Sequence, residues 1–149
     1  MIRKSTVSDS IALAQLAILL WPNHMVEELK QEIETLLSSR NAAFFLDIDQ
    51  DVPVGFAQCQ LRQDYVEGTS SSPVGYLEGV FVLESHRKQG IATRLLQHCE
   101  QWARDNGCVE FASDCAITNM ESYAFHMKFG FQEANRIICF RKNLSEMRE

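Results

Sequence analysis

The stretch Tyr76-Leu-Glu-Gly-Val-Phe-Val-Leu-Glu-Ser-His-Arg-Lys-Gln-Gly-Ile-Ala92, continued by Thr93-Arg-Leu-Leu-Gln-His-Cys-Glu-Gln-Trp102, decides the fold. Tyr76, Glu78, Val80 and Val82 alternate with Leu77, Phe81 and Leu83, as in a strand that is apolar on both faces. Ile91, Leu95, Cys99 and Trp102 then recur at helical spacing, as do Ala92, Leu96 and Ala103. Between the two periods sit Arg87, Lys88, Gln89 and Gly90, where the helix begins. Unpaired N–H groups and the positive end of the helix dipole suit that place to phosphate. A glycine lets the main chain come close, and two neighbouring cations strengthen the anion reading. A solvated cationic pair is the plain alternative for Arg87 and Lys88.

Outward from this unit, 149 residues predict one domain over 1–149, long enough for a sizeable core. A 46% hydrophobic share with mixed charge reads as globular, and a net charge of −6 argues against general nucleic-acid binding. Five cysteines without a Cys-x-x-Cys pair argue against a zinc ribbon or a disulfide framework. Reduced, buried thiols in a cytoplasmic protein are expected instead. The apolar run Ile11–Leu20 is too short to cross a membrane and is broken by Gln15, so it reads as a structural helix.

In chain order, Ile2-Arg-Lys is a first strand, and Ser8-Asp-Ser10 caps a helix carrying Leu13, Leu16, Ala17 and Leu20 on one face. Trp21-Pro-Asn-His24 ends it. A second helix covers Val26–Ser38, with Val26, Leu29, Ile33, Leu36 and Leu37 as its stripe and a glutamate-rich outer face. Ala43–Asp47 and Val54–Leu61 form a hairpin, and the serine-rich segment from Asp64 to Pro73 is a loop. After the central unit come a strand at Val109–Ser113, a helix at Thr118–Phe129 closed by Gly130, and a last strand around Arg136–Lys142. A further short strand around Phe131–Glu133 is also allowed. The expected class is α/β, with a mixed central sheet flanked by helices.

Arg87-x-x-Gly90-x-Ala92, placed after a strand and opening a helix, resembles the acetyl-CoA signature of the GNAT acetyltransferases. The resemblance implies the GNAT fold, with main-chain groups of Val80, Phe81 and Val82 pairing with pantetheine. Arg87, Lys88, Gln89, Gly90, Ile91, Ala92 and Thr93 then hold the pyrophosphate, and Asn119 helps to bind CoA. Gly130-Phe131 falls where this family has a Gly-Phe pair. Trp21-Pro-x-His24, Asp64-Tyr65-Val66, Ser71-Ser-Pro73, Leu77-Glu-Gly79, Ala112-Ser-Asp114 and Asn119 together resemble the aminoglycoside 6′-N-acetyltransferases. That likeness implies Trp21, His24, Tyr65, Glu78 and Asp114 as substrate-site residues, a homodimer with the C-terminal strand at its interface, and antibiotic resistance as the outcome. Many GNAT enzymes carry a tyrosine general acid seven residues after the asparagine. Here His126 stands at that position.

The chemistry is coherent in its own terms. An alkyl ammonium with a reference pKa of ~10.4 must be attracted, oriented and deprotonated before it attacks a thioester. Glu78 and Asp114 are the expected catalytic carboxylates, Glu78 projecting from the same strand face as Val80. The Val80 amide is the candidate oxyanion donor. Direct attack in a ternary complex with acetyl-CoA and a cationic aminoglycoside needs no metal. The plain alternatives are a structural ion pair for Glu78, a helix cap for Asp114, core for Trp21 and a loop aromatic for Tyr65. They continue with a surface or capping role for His24, helix packing for His126 and a small packed side chain for Cys115. Two other functions compete: acetylation of another small-molecule or protein amine, and a non-catalytic acetyl-CoA-binding regulator.

Overall fold

A computed structural model describes residues 1–145. It contains two compact units, Met1–Asp114 and the segment from Cys115 onward.

In the first unit the elements run β1 (Ile2–Lys4), α1 (Ser10–Leu20), α2 (Val26–Leu37), β2 (Ala42–Asp49), β3 (Val52–Arg62), β4 (Val74–Val82), α3 (Ile91–Asp105) and β5 (Phe111–Ala112). The five strands form one sheet in sequence order. β1 to β4 pair antiparallel, and β5 joins β4 in parallel after the α3 crossover, so the sheet is mixed as expected.

Strand alternation sends Phe44, Leu46 and Phe56 to the face covered by α1 and α2, where they join Leu13, Leu16, Ala17, Leu29 and Ile33 in one buried cluster. Of the stripe expected on α2, Leu29 and Ile33 are buried, Leu36 and Leu37 pack partly against the cluster, and Val26 is exposed at the first turn. The opposite face is covered by α3. There Cys59 and Cys99 meet in the interior, and a Cβ at Gly75 would strike Ala103 and Phe111. Asp9 fixes the start of α1: both of its oxygens accept from the Arg3 guanidinium at 2.8 Å, and one also takes the Thr6 N–H.

β4 departs from plain alternation. Gly79 to Val82 pair with β3 in one register and Val74 to Leu77 in a register shifted by one, leaving Glu78 as the extra residue of a β-bulge. Gly79 turns toward α1, where a Cβ would lie 2.7 Å from the Trp21 ring, and Phe81 joins the α1/α2 cluster. Val82 lies on the α3 side beside Ile91, which by alternation carries Val80 to that side. Glu78 instead shares the α1 side with Tyr76, so the expected common face of Glu78 and Val80 is corrected by the bulge.

The second unit contains α4 (Met120–Lys128). Asn119 caps it, its side-chain oxygen accepting the Ser122 N–H at 3.0 Å. The strands expected around Phe131–Glu133 and Arg136–Lys142 are absent: residues 131–144 adopt neither helix nor strand. The strand expected over Val109–Ser113 shortens to Phe111–Ala112. A strand needs a hydrogen-bonding neighbour as well as an apolar pattern, and the ladder to β4 extends only to Ala112.

Candidate active site

The turn after β4 is built by local backbone chemistry. A short 3-10 turn at Glu84–His86 leads to Lys88 and Gly90, both with positive φ (64° and 79°). Gly90 is the N-cap of α3, and a Cβ there would come within 3.2 Å of the Arg94 side chain. Glycine accepts this left-handed geometry without the Cβ clash that penalises other residues. Arg87 to Gly90 are exposed, Ile91 is buried beneath the turn, and Ala92 and Thr93 are half-buried. His86 ties the turn to the β2–β3 hairpin, its Nε2 lying 3.0 Å from Asp49 Oδ2. Arg94 caps the Gln89 carbonyl at 3.1 Å. Arg87 does not point wholly to solvent, because its Nε donates to the Val82 carbonyl at 2.9 Å.

The open edge of β4 has a definite phase. The Leu83 N–H bonds to the Val54 carbonyl at 2.8 Å, so Phe81 and Gly79 exchange main-chain bonds with β3 while Val80 and Val82 turn theirs the other way. On that other side β5 pairs only with Gly75 and Tyr76, and among the described residues no strand lies beside Glu78 to Val82. Of the three residues expected to bind through main-chain groups, Val80 and Val82 present them to the open edge, with the Val82 carbonyl held by Arg87. The Phe81 groups are taken by β3, because antiparallel pairing alternates inward- and outward-facing residues.

The side chains on the α1 face form a connected polar group. Arg62 Nη2 donates to both Glu78 oxygens, at 3.1 and 2.9 Å. Its guanidinium lies 3.6 Å over the Tyr76 ring centroid, within cation–π range. The Tyr76 hydroxyl donates to Asp114 Oδ2. Burial pushes the Tyr76 phenol well above its ordinary range, and the hydrogen bond to Asp114 adds to that. Burial works against the Arg62 charge, but the hydrogen bond and field of Glu78 outweigh it and leave the guanidinium more firmly protonated. Glu78 is largely covered, with 18% of its side chain exposed.

The expected residues are therefore only partly assembled. Glu78 and Asp114 belong to one chain of contacts through Arg62 and Tyr76, and Asp114 serves as the tyrosine's acceptor rather than as a helix cap. Trp21 packs edge-on against Phe56 at 6.2 Å and against the Gly79 main chain, so it lines the same sheet face next to the bulge. His24 is exposed after α1. Tyr65 is 75% exposed, and its hydroxyl accepts from the Gly68 N–H within its own loop. That loop is anchored rather than open: Val66 is buried against Val74 and Tyr76, and Glu110 accepts from Ser70 N–H at 2.9 Å and from the Ser71 hydroxyl.

Arg62 and the Tyr76 hydroxyl join the site only through the structure, since the sequence pattern marks Tyr76 as a strand residue and gives Arg62 no role. The available signal was a cation ending one strand and a phenol two residues before Glu78 on the next.

In the second unit, His126 Nδ1 lies 2.7 Å from the Ser122 carbonyl. A carbonyl oxygen only accepts, so Nδ1 carries the proton. The ring packs against Phe125 and Phe131, in keeping with a packing role. Cys115 is half-buried and Cys139 is exposed, so burial of thiols holds for Cys59, Cys99 and Cys108 only.

The model of the acetyltransferase (GNAT) family matches residues 12–131. Aminoglycoside N(6′)-acetyltransferase type 1 of Acinetobacter baumannii is 38% identical over 143 residues, 96% of each chain. Its counterpart in Stenotrophomonas maltophilia is 39% identical, covering 96% of this chain and 93% of the relative. Among solved structures, AAC(6′)-Iy in complex with the bisubstrate analogue CoA-S-monomethyl-acetylneamine superposes with a TM-score of 0.91 at 36% identity, covering 96% of this chain and 97% of that one. With the family model running from α1 through α4 and relatives aligned over nearly their whole length, the chain belongs to the acetyltransferase (GNAT) family.

Proposed function

We propose that the chain is an aminoglycoside 6′-N-acetyltransferase, moving acetyl from acetyl-CoA to the 6′-amino group by direct attack and thereby conferring antibiotic resistance. Acetyl-CoA, when bound, supplies the acetyl group as a thioester, whose C–S bond breaks as the amide C–N bond forms, so that CoA leaves as its thiol and the proton lost by the amine balances the one gained by sulfur. The exposed turn from Arg87 to Gly90, with the start of α3 through Thr93, suits its pyrophosphate, because Gly90 leaves room for main-chain approach at a helix start. The open edge of β4 suits its amide-bearing arm, since Val80 and Val82 direct main-chain groups there.

Glu78 attracts the 6′-ammonium, orients it and accepts its proton directly or through water. Asp114, tied to the same group through Tyr76, adds a second carboxylate for a polycationic sugar. The Val80 N–H stands ready to stabilise negative charge on the carbonyl oxygen. Asn119 is proposed to contact CoA through the part of its amide that does not cap α4. Trp21, His24 and Tyr65 are proposed as acceptor contacts. No step of this scheme calls for a metal.

The single observation that carries the reading is the bulge at Glu78. It supports an acidic group on one face within two residues of an outward-facing main-chain amide on the strand edge. A thiol-release assay with kanamycin, tobramycin and a 6′-hydroxyl aminoglycoside tests it. Release with the amines and not with the hydroxyl analogue is expected; silence with all three, despite tight acetyl-CoA binding, refutes it.

Residues 1–149 are proposed to work as one domain, because the family match crosses the boundary at Asp114. A homodimer is proposed as well: Ile137, Ile138 and Phe140 are strongly exposed outside any helix or strand, and a second copy would cover them. Light scattering should give twice the chain mass, and Phe140→Asp should shift it toward monomer. The free thiols fit a cytoplasmic setting without nucleic-acid or membrane partners. Among the described residues, no helix is long and apolar enough to cross a membrane.

A further inference from the structure

Arg62 is the last residue of β3 and pairs with Val74 across the ladder. Alternation puts it on the same face as Gln58 and Gln60, the face where the bulge also delivers Glu78. Its guanidinium is held from two directions, by both Glu78 oxygens and by the flat face of Tyr76. An arginine used only for solubility would extend into water. This one stands where the proposed acceptor ammonium has to stand, within hydrogen-bonding distance of Glu78, yet 43% of its side chain reaches solvent. A partly exposed cation can leave its carboxylate without abandoning a charge in the interior.

We propose that Arg62 is the resident counter-cation of the acceptor site: it positions the Glu78 carboxylate in the free protein and yields it to the incoming ammonium. This rests on the aminoglycoside reading and adds to it a residue that sets acceptor affinity. The two carboxylates and Arg62 together carry one net negative charge. Arg62 competes with a polycation for Glu78 while keeping that carboxylate in one orientation. The stack on Tyr76 gives the guanidinium a place to rest once displaced, so exchange at Glu78 needs only a small swing about the end of β3. Arginine suits this task better than lysine, because a planar group can stack on the phenol and donate along its edge at once.

Removing the charge separates the two roles. In Arg62→Gln and Arg62→Met, loss of the competitor should lower KM for kanamycin by about three- to tenfold, and loss of the Glu78 support should lower kcat by about tenfold. KM for acetyl-CoA should stay at its wild-type value. Arg62→Lys retains the competing charge, so its aminoglycoside KM should stay near wild type while kcat recovers only in part. The aminoglycoside KM of the neutral variants should also rise more steeply with salt, since a more acidic site meets the same polycation. A purely structural arginine would lower Tm and leave this joint fall of aminoglycoside KM and kcat unseen.

Neutral variants with an unchanged or higher aminoglycoside KM, or with an unchanged kcat, overturn the proposal. Wild-type protein that turns over no aminoglycoside refutes the functional reading itself. Wild-type turnover with unresponsive Arg62 variants refutes this inference alone.

Discussion

Gly79 lies so close to Trp21 that a Cβ on it would come within 2.7 Å of the indole ring, with Leu20 Cδ2 at 3.1 Å. The strand that carries Glu78 and the end of α1 are thus in direct contact, and the glycine exists for that approach. Gly79→Ala should destabilise the fold by about 1–3 kcal/mol, as overpacking does in tight interiors. Trp21→Leu should recover part of the loss, and urea unfolding of the double-mutant cycle measures the coupling. Additive effects would show that the contact relaxes without cost.

Glu78→Gln should lower kcat by about 10²-fold or more at neutral pH, the range expected for loss of a positioned base. Acetyl-CoA affinity should be unchanged, because the main-chain edge and the turn at Gly90 are untouched. Steady-state kinetics beside acetyl-CoA calorimetry separates the two. Equal turnover in the variant across pH would remove Glu78 from the chemistry.

Gly90→Val should weaken acetyl-CoA binding by about tenfold or more. It places a branched side chain where φ is +79°, at a cost of about 1–2 kcal/mol, and fills the approach to the helix start. Aminoglycoside binding measured without the donor should change little. A comparable loss for both ligands would indicate general unfolding of the turn.

Asp9 supplies the pH-dependent prediction. The hydrogen bond from Arg3 holds its carboxyl below the ordinary range, against the opposing effect of burial. The folded protein therefore releases this proton more readily than the unfolded chain. Its stabilisation is complete above the unfolded value of ~3.9 and disappears as pH falls through the depressed folded value. Asp9→Asn should cost about 1 kcal/mol at pH 7, in the range of a well-formed partly buried pair, and progressively less below about pH 4. Thermal melts at several pH values check this, and a pH-independent difference would separate the effect from the ionised carboxylate.

The central unit was legible because two periods meet at its turn. Strand character from Tyr76 to Val82 and helical spacing from Ile91 to Trp102 are both written in local sequence, and the structure realises the strand and the helix, with the alternation broken only at Glu78. The bulge was not legible, because an extra residue in β4 exists only relative to the β3 register. Nothing in Leu77-Glu-Gly79 announces that Cys59 pairs with Leu77 while Gln58 pairs with Gly79. Arg62 was missed for the same reason, since its meaning arises from the cross-strand approach to Tyr76 and Glu78. The C-terminal segment failed in the opposite direction. Arg136-Ile-Ile-Cys-Phe140 carries an apolar pattern suited to a strand, but a pattern cannot supply the neighbouring edge that would complete one.

The slip of one residue in β4 gives a single strand two independent ways of addressing molecules. Main-chain groups on its edge are the same whatever side chains the strand carries, whereas the face that holds Tyr76 and Glu78 can be rewritten one substitution at a time. A chain built in this way can change which amine it accepts while leaving its hold on the acetyl donor untouched. Variants at residues 62, 76 and 114 are therefore where acceptor range should drift first under antibiotic selection, with Gly90 held back by a positive φ that other side chains pay to adopt.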